Sequence, residues 1–208
     1  MRIAFVSGGK ESLYALYLAG GADIGLLLIY DFPRPNPHIV NIHKSIETLT
    51  LFNINCILVK KLRKGCERKQ TIDVLRVLGV KEIVAGDVYI EEHLKYMESI
   101  ANEVGAKLIE PLWGLSPDEL LYREFHELQL ETLIIGCIGK LKNWLGRTIN
   151  NRNLDEFIHY TKNLGVDVLG EHGEYHTLVL NTKYHRGCLK YRVVAREVYN
   201  NYYIVRLI

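Results

Sequence analysis

Six residues near the start of the chain, Ser7-Gly8-Gly9-Lys10-Glu11-Ser12, have the composition of an anion site. Two glycines let the backbone turn sharply and let an oxyanion approach the peptide N–H groups. The helix-like run Leu13-Tyr14-Ala15-Leu16-Tyr17-Leu18 follows at once, so unpaired first-turn donors and the positive end of a helix dipole face the same point. Lys10 and Ser12 add a charge and a hydroxyl, and the expected ligand is a nucleotide phosphate. A second constellation lies far down the chain, in Gly170-Glu171-His172-Gly173-Glu174-Tyr175-His176-Thr177. Two carboxylates and two imidazoles around two glycines, at the mouth of the apolar run Leu178-Val179-Leu180, are costly for a mere turn. The plain alternative is a Gly-rich hairpin with solvated charges.

The elements that must position these residues can be read from hydrophobic patterning. Ile3 to Val6 is a short apolar run entering the first motif, and Ile24 to Tyr30 is a second, suited to a strand covered on both faces. Asp31 to Pro37 carries three prolines and reads as a loop, after which His38 to Phe52 has helical spacing. Cys56 to Val59, Ile83 to Ala85 and Ala106 to Ile109 are further strands, separated by helices at Gln70 to Leu78 and Glu91 to Val104. Gly105 stands where a left-handed cap would end the latter. Alternation of this kind predicts an α/β fold, a Rossmann-like parallel sheet with flanking helices. Ligands of such sheets sit beyond the carboxyl ends of the strands, so Ser7 to Lys10, Tyr30 with Asp31, and Gly86 with Asp87 are expected to line one crevice.

The second half reads differently. Ser116-Pro117-Asp118-Glu119 has the residues of a helix start, with Ser as cap. Thr132 to Ile138 is strand-like, Gly139 to Asn151 a polar loop or short helix, and Asn153 to Leu164 a helix. Thr177 to Leu180, Cys188 to Tyr199 and Tyr202 to Ile208 read as antiparallel strands, the last two across an Asn200-Asn201 turn. A smaller α+β domain is therefore expected after the sheet, with residues 1–112 and 113–208 as the two domains.

Composition narrows the function classes. Lys plus Arg number 26 and Asp plus Glu 24, a net charge of +2, which is no nucleic-acid signature. Lys60, Lys61, Arg63, Lys64, Arg68 and Lys69 form the densest basic stretch, a solvated loop or a guide for RNA or an acidic surface. Cys56, Cys66, Cys137 and Cys188 show neither CxxC pairing nor a zinc spacing. No apolar run reaches membrane length and no leader pattern opens the chain, so a cytoplasmic protein is expected.

The first motif is neither a Walker loop nor a GxGxxG fingerprint. It resembles the SGGxDS loop of the ATP pyrophosphatases, with Glu11 in place of the Asp. The second resembles the GEGGEYET segment of the diphthine-ammonia ligase family, whose PLW and LGR are matched by Pro111-Leu112-Trp113 and Leu145-Gly146-Arg147. Cys188 matches the cysteine that closes the segment. Departures fall at Gly86-Asp87-Val88-Tyr89 with Glu91, Glu92 and His93, and at His172 and His176.

The resemblance implies an ATP-dependent ligase that amidates the diphthine carboxylate of elongation factor 2 with ammonium, through an acyl-adenylate, releasing AMP and pyrophosphate. ATP and Mg2+ are the implied cofactors. Ser7, Gly8, Gly9, Lys10, Glu11, Ser12, Tyr30, Asp31, Gly86 and Asp87 are the implied nucleotide residues, with Glu11 or Asp87 on magnesium. Lys10 would offset charge on the departing pyrophosphate, and Glu171 and Glu174 would bind ammonium or take its proton. Arg147, Gly170, Gly173, Tyr175, His176 and Thr177 complete the implied acceptor side. A tRNA-modifying ATP pyrophosphatase and a non-catalytic nucleotide-binding regulator are the competing readings.

Overall fold

A computed structural model describes residues 1–30 and 35–208. Among these, residues 1–7, 11–30 and 54–115 form one compact unit, and residues 8–10, 35–53 and 116–208 form a second. The loop read at Asp31 to Pro37 falls largely outside the described residues.

The first unit is built on a five-stranded parallel sheet. Its strands are β1 (Arg2–Phe5), β2 (Ile24–Ile29), β3 (Ile57–Lys61), β4 (Glu82–Val84) and β5 (Lys107–Ile109), in the order β3-β2-β1-β4-β5. Helix α1 (Lys10–Leu18, from Glu11 onward in this unit) joins β1 to β2, α4 (Glu67–Val77) joins β3 to β4, and α5 (Glu91–Val104) joins β4 to β5. Ile3, Leu26 and Ile83 of the sheet pack with Ile72 and Leu75 of α4 and Met97 and Ile100 of α5 in a buried cluster. Each such side chain stabilises the fold by about 1.5–3 kcal/mol. Gly105 takes φ +73° as the left-handed cap of α5. The Rossmann-like α/β expectation is met, and β1 ends two residues before Ser7.

The second unit carries a five-stranded antiparallel sheet. It contains β6 (Glu131–Ile138), β7 (Thr148–Ile149), β8 (Tyr175–Asn181), β9 (Val193–Tyr199) and β10 (Tyr202–Leu207). The order is β7-β6-β10-β9, and β8 also pairs with β6. Asn200 and Asn201 both have positive φ, 47° and 65°, as a tight hairpin turn between twisted strands requires. Helices α2 (Pro37–Val40), α3 (Ile42–Leu51), α6 (Pro117–Leu128) and α7 (Leu154–Asn163) belong to this unit, with a 3-10 turn at Gly139–Trp144.

Three details correct the sequence reading. The helix expected over His38 to Phe52 is broken at Asn41, which is fully buried. Its side-chain nitrogen donates to the carbonyls of Pro37 and Val205, and its oxygen accepts from Leu207 N–H, so β10 claims the residue. The strand expected from Cys188 begins only at Val193. Ser116 stands at the cap position of α6 before Pro117, but its side chain makes no capping hydrogen bond.

Candidate functional site

In the first unit, Ser7 and Ser12 bracket the first motif. The N–H of Ser7 donates to the Ser12 hydroxyl at 3.3 Å, and the two hydroxyls lie 3.4 Å apart. Gly86, just past β4, comes so close to the start of α1 that a β-carbon there would meet the Glu11 carbonyl oxygen at 3.2 Å. Gly86 and Asp87 are thereby set beside the first turn of α1. Asp87 faces His93 at 3.5 Å, and its backbone N–H donates to Glu110 Oε2 at 3.2 Å. The other Glu110 oxygen is buried with no hydrogen-bond partner among the described residues. Burial, and then the neighbouring charge of Asp87, push the Glu110 carboxyl up to about 8. Tyr30 is pushed well above its ordinary value, mainly by burial, then by the charges of Tyr96, Asp87 and Glu67. Tyr30, Gly86, Asp87 and Glu11 thus share one end of the parallel sheet. Asp31 lies outside the described residues.

In the second unit, Gly8 has φ +88°, and a β-carbon there would press on Thr48 Cγ2 at 3.0 Å, so the position excludes other side chains twice over. Its carbonyl accepts from Val179 N–H of β8, and Lys10 N–H donates to the Thr177 hydroxyl at 3.3 Å. Residues 8–10 are therefore fixed by β8, the strand that follows the second motif.

That motif is a turn with a closed geometry. Gly173 N–H donates to the Gly170 carbonyl at 2.9 Å, and Glu171 N–H to Asp167 Oδ2 at 2.9 Å. Gly170 has φ +78°, and a β-carbon would strike the Tyr175 ring at 2.7 Å. Tyr175 is buried, its hydroxyl donating to the Val168 carbonyl at 2.6 Å. Burial raises its pKa first, then the charges of Glu124, Asp167, Glu171 and Glu174. Glu174 holds one buried oxygen without a hydrogen-bond partner among the described residues. His176 stands edge-on to His38, which is itself buried with Nδ1 3.3 Å from the Ser45 hydroxyl.

Lys10 closes the constellation from below. Its ammonium donates to the Leu169 carbonyl at 3.3 Å, lies 5.6 Å from the centre of the Tyr175 ring, and faces Glu124 Oε2 at 3.7 Å. Glu124 was not among the residues expected from sequence. It occupies the apolar face of α6 with Leu120, Leu121, Phe125 and Leu128, all buried. A carboxylate four residues from two leucines on one helix face is the signal that could have found it.

Other candidates separate from this group. Arg147 lies over the Trp144 ring at 3.9 Å and pairs with exposed Glu156 at 3.3 Å. Cys137 is buried, and burial pushes its thiol up to about 12, which disfavours the thiolate needed for sulfur chemistry. Trp113 and Glu110 line an open cleft with Leu94, Glu98 and Leu108. Among the described residues no group of three or more His, Cys, Asp or Glu could hold a metal ion. Magnesium bound to a nucleotide asks less, one or two carboxylates and phosphate oxygens.

Family models for the diphthamide synthase N-terminal domain and C-terminal domain match residues 1–108 and 116–206. The chain belongs to the diphthamide synthase family. Diphthamide synthases are ATP-dependent, and the two matched stretches carry the two motifs from which the nucleotide and acceptor residues were read. No curated protein matches the chain. A solved structure from Methanocaldococcus jannaschii DSM, a predicted subunit of tRNA methyltransferase, resembles it at 16% identity and a TM-score of 0.45. That likeness covers 88% of this chain and 97% of the other. Among the described residues no helix is long and apolar enough to cross a membrane.

Proposed function

We propose that this protein is an ATP-dependent amide ligase that converts the diphthine carboxylate of elongation factor 2 to an amide. The match of both family domains, each carrying one of the two motifs, is the observation that supports this reading most. A carboxylate is a poor acceptor for ammonia. Attack of one carboxylate oxygen on the α-phosphorus of ATP expels pyrophosphate and leaves a mixed anhydride with AMP. Ammonia then attacks the acyl carbon, AMP departs with the bond electrons, and one proton is released as the amide forms.

On this reading the backbone N–H groups of the Ser7 to Ser12 loop hold the phosphates, and Lys10 offsets charge on the leaving pyrophosphate. Asp87 and Glu11 are the carboxylates that would hold nucleotide-bound magnesium, which would offset the negative charge of the phosphates. Tyr30 and Gly86 border the same end of the sheet. Glu171 and Glu174 bind ammonium or remove its proton; the buried, unsatisfied oxygen of Glu174 suits a cationic guest. Gly170, Gly173, Tyr175, His176 and Thr177 shape the acceptor side, and Arg147 is the basic group offered to the acceptor. We place the division between an ATP-binding part and an acceptor part near residues 112–113.

The test is release of AMP and pyrophosphate from ATP with magnesium and ammonium, with and without diphthine-bearing elongation factor 2, while the mass of the factor is followed. Factor-dependent release together with the small mass loss of carboxylate becoming amide is the expected result. ATP binding with an unchanged factor would overturn the ligase reading and move the search to RNA acceptors or to regulation without turnover.

A further inference from the structure

Within the second unit the loop lysine is buried beside a residue to which no role is assigned above. Lys10 and Glu124 are 1% and 0% exposed. Their 3.7 Å separation exceeds hydrogen-bond length, and both Glu124 oxygens are buried without a hydrogen-bond partner among the described residues. The Lys10 ammonium is thus the neighbour that favours the charged form of Glu124. Burial, the largest influence, favours the neutral acid, the Lys10 ammonium opposes this, and the charge of Glu171 favours the neutral acid again, so the Glu124 carboxyl stands raised, at about 7. The Tyr175 ring and the Leu169 carbonyl also face the ammonium.

We propose that Glu124 is the positioning residue for the Lys10 ammonium, and that it takes up a proton when a polyphosphate occupies the Ser7 to Ser12 loop. The inference rests on the ATP-binding reading above. A polyphosphate held by the backbone of residues 8–10 competes with Glu124 for the field of Lys10. A buried carboxylate that loses its share of a counter-charge is stabilised by accepting a proton, which moves from a buffer acid to a Glu124 oxygen. Release of the polyanion returns it.

Calorimetry of magnesium-ATP binding near pH 7, in two buffers of different ionisation enthalpy, reads this uptake directly once titration of the nucleotide itself is subtracted. The unchanged protein is expected to take up a fraction of a proton, and less at pH 5.5, where Glu124 is already neutral. Glu124→Gln is expected to take up none and to bind ATP up to about tenfold tighter for each unit by which ATP raises the Glu124 pKa. Glu124→Asp, which keeps the carboxyl, should restore uptake. Should the Gln variant fail to fold, the dissociation constant of the unchanged protein from pH 5.5 to 8.5 serves instead, weakening as pH rises. Equal uptake by unchanged and Gln proteins, or a pH-independent constant, overturns the inference while leaving ATP binding intact. Failure of the unchanged protein to bind ATP overturns both the inference and the reading beneath it.

Discussion

Glu110 and Glu124 are both buried carboxyls held above their ordinary range by desolvation, yet their surroundings are opposite in sign. Glu110, just past β5 in the first unit, faces Asp87 and accepts from its backbone N–H, and the charge of Asp87 reinforces burial. Glu124, on α6 in the second unit, faces the Lys10 ammonium, so its neighbour's charge resists burial. The difference teaches that burial by itself does not decide what a carboxyl is for. Near Asp87 the neighbouring charge favours the neutral acid, whereas near Lys10 the neighbouring charge favours the ionised form against burial.

Removing that partner breaks the contrast most severely. Lys10→Met strips Glu124 of its counter-charge and is expected to destabilise the protein by about 3–5 kcal/mol in urea unfolding. The double variant Lys10→Met with Glu124→Leu should recover most of the loss. Glu110 sharpens the contrast from the other side. Its folded value of about 8 against an ordinary 4.5 means that the folded state binds the extra proton between those limits. Its stabilisation is therefore complete below pH 4.5 and lost as pH rises through 8. Melting temperatures of Glu110→Gln should lose that decline, and Asp87→Asn should shrink it; an unchanged slope in both would show that Glu110 does not titrate in this window.

His185 offers a base for comparison, with the reverse sign. Burial holds it down to about 4 from 6.5, and its nitrogens meet the Thr182 hydroxyl at 2.8 Å and the Thr48 hydroxyl at 3.0 Å. Because Thr48 donates onward to the Val179 carbonyl, Nε2 must be the protonated nitrogen and Nδ1 the acceptor. Stability from this site is present above pH 6.5 and lost as pH falls toward 4, and His185→Gln should flatten that acid limb in a melting series. The smallest effect is expected at the surface. Arg147→Ala removes an exposed ion pair and a stacked ring contact, a change of about 1 kcal/mol by chemical denaturation.

How much of this was legible beforehand follows the range of the forces involved. The parallel sheet, the cap at Gly105 and the Asn200-Asn201 turn are written in local patterns of apolar residues and permitted φ values, and these appear where expected. The break at Asn41 was not legible, because its side chain is satisfied by Val205 and Leu207, more than 160 positions away. The burial of Glu124 was legible from its leucine neighbours, but its partner was not, because that lysine lies in the first motif and nothing within α6 announces it. The two motifs could be recognised as chemistry, but their internal wiring, with Lys10 N–H on Thr177 and Gly8 carbonyl on Val179, depends on which strand the loop meets.

The assignment of residues 8–10 and 35–53 to the second unit bears on how the protein can be dissected. A fragment beginning at Ser116 would keep β6 to β10 but lose the segment that supplies Lys10, Ser45 and Thr48, leaving Thr177, Val179, His185 and Glu124 without their companions. The two family stretches are contiguous in sequence, but the second cannot be expected to fold from its own stretch of chain. Any attempt to express it separately would have to carry residues 8–10 and 35–53 along, by permuting the chain or by supplying them as a peptide.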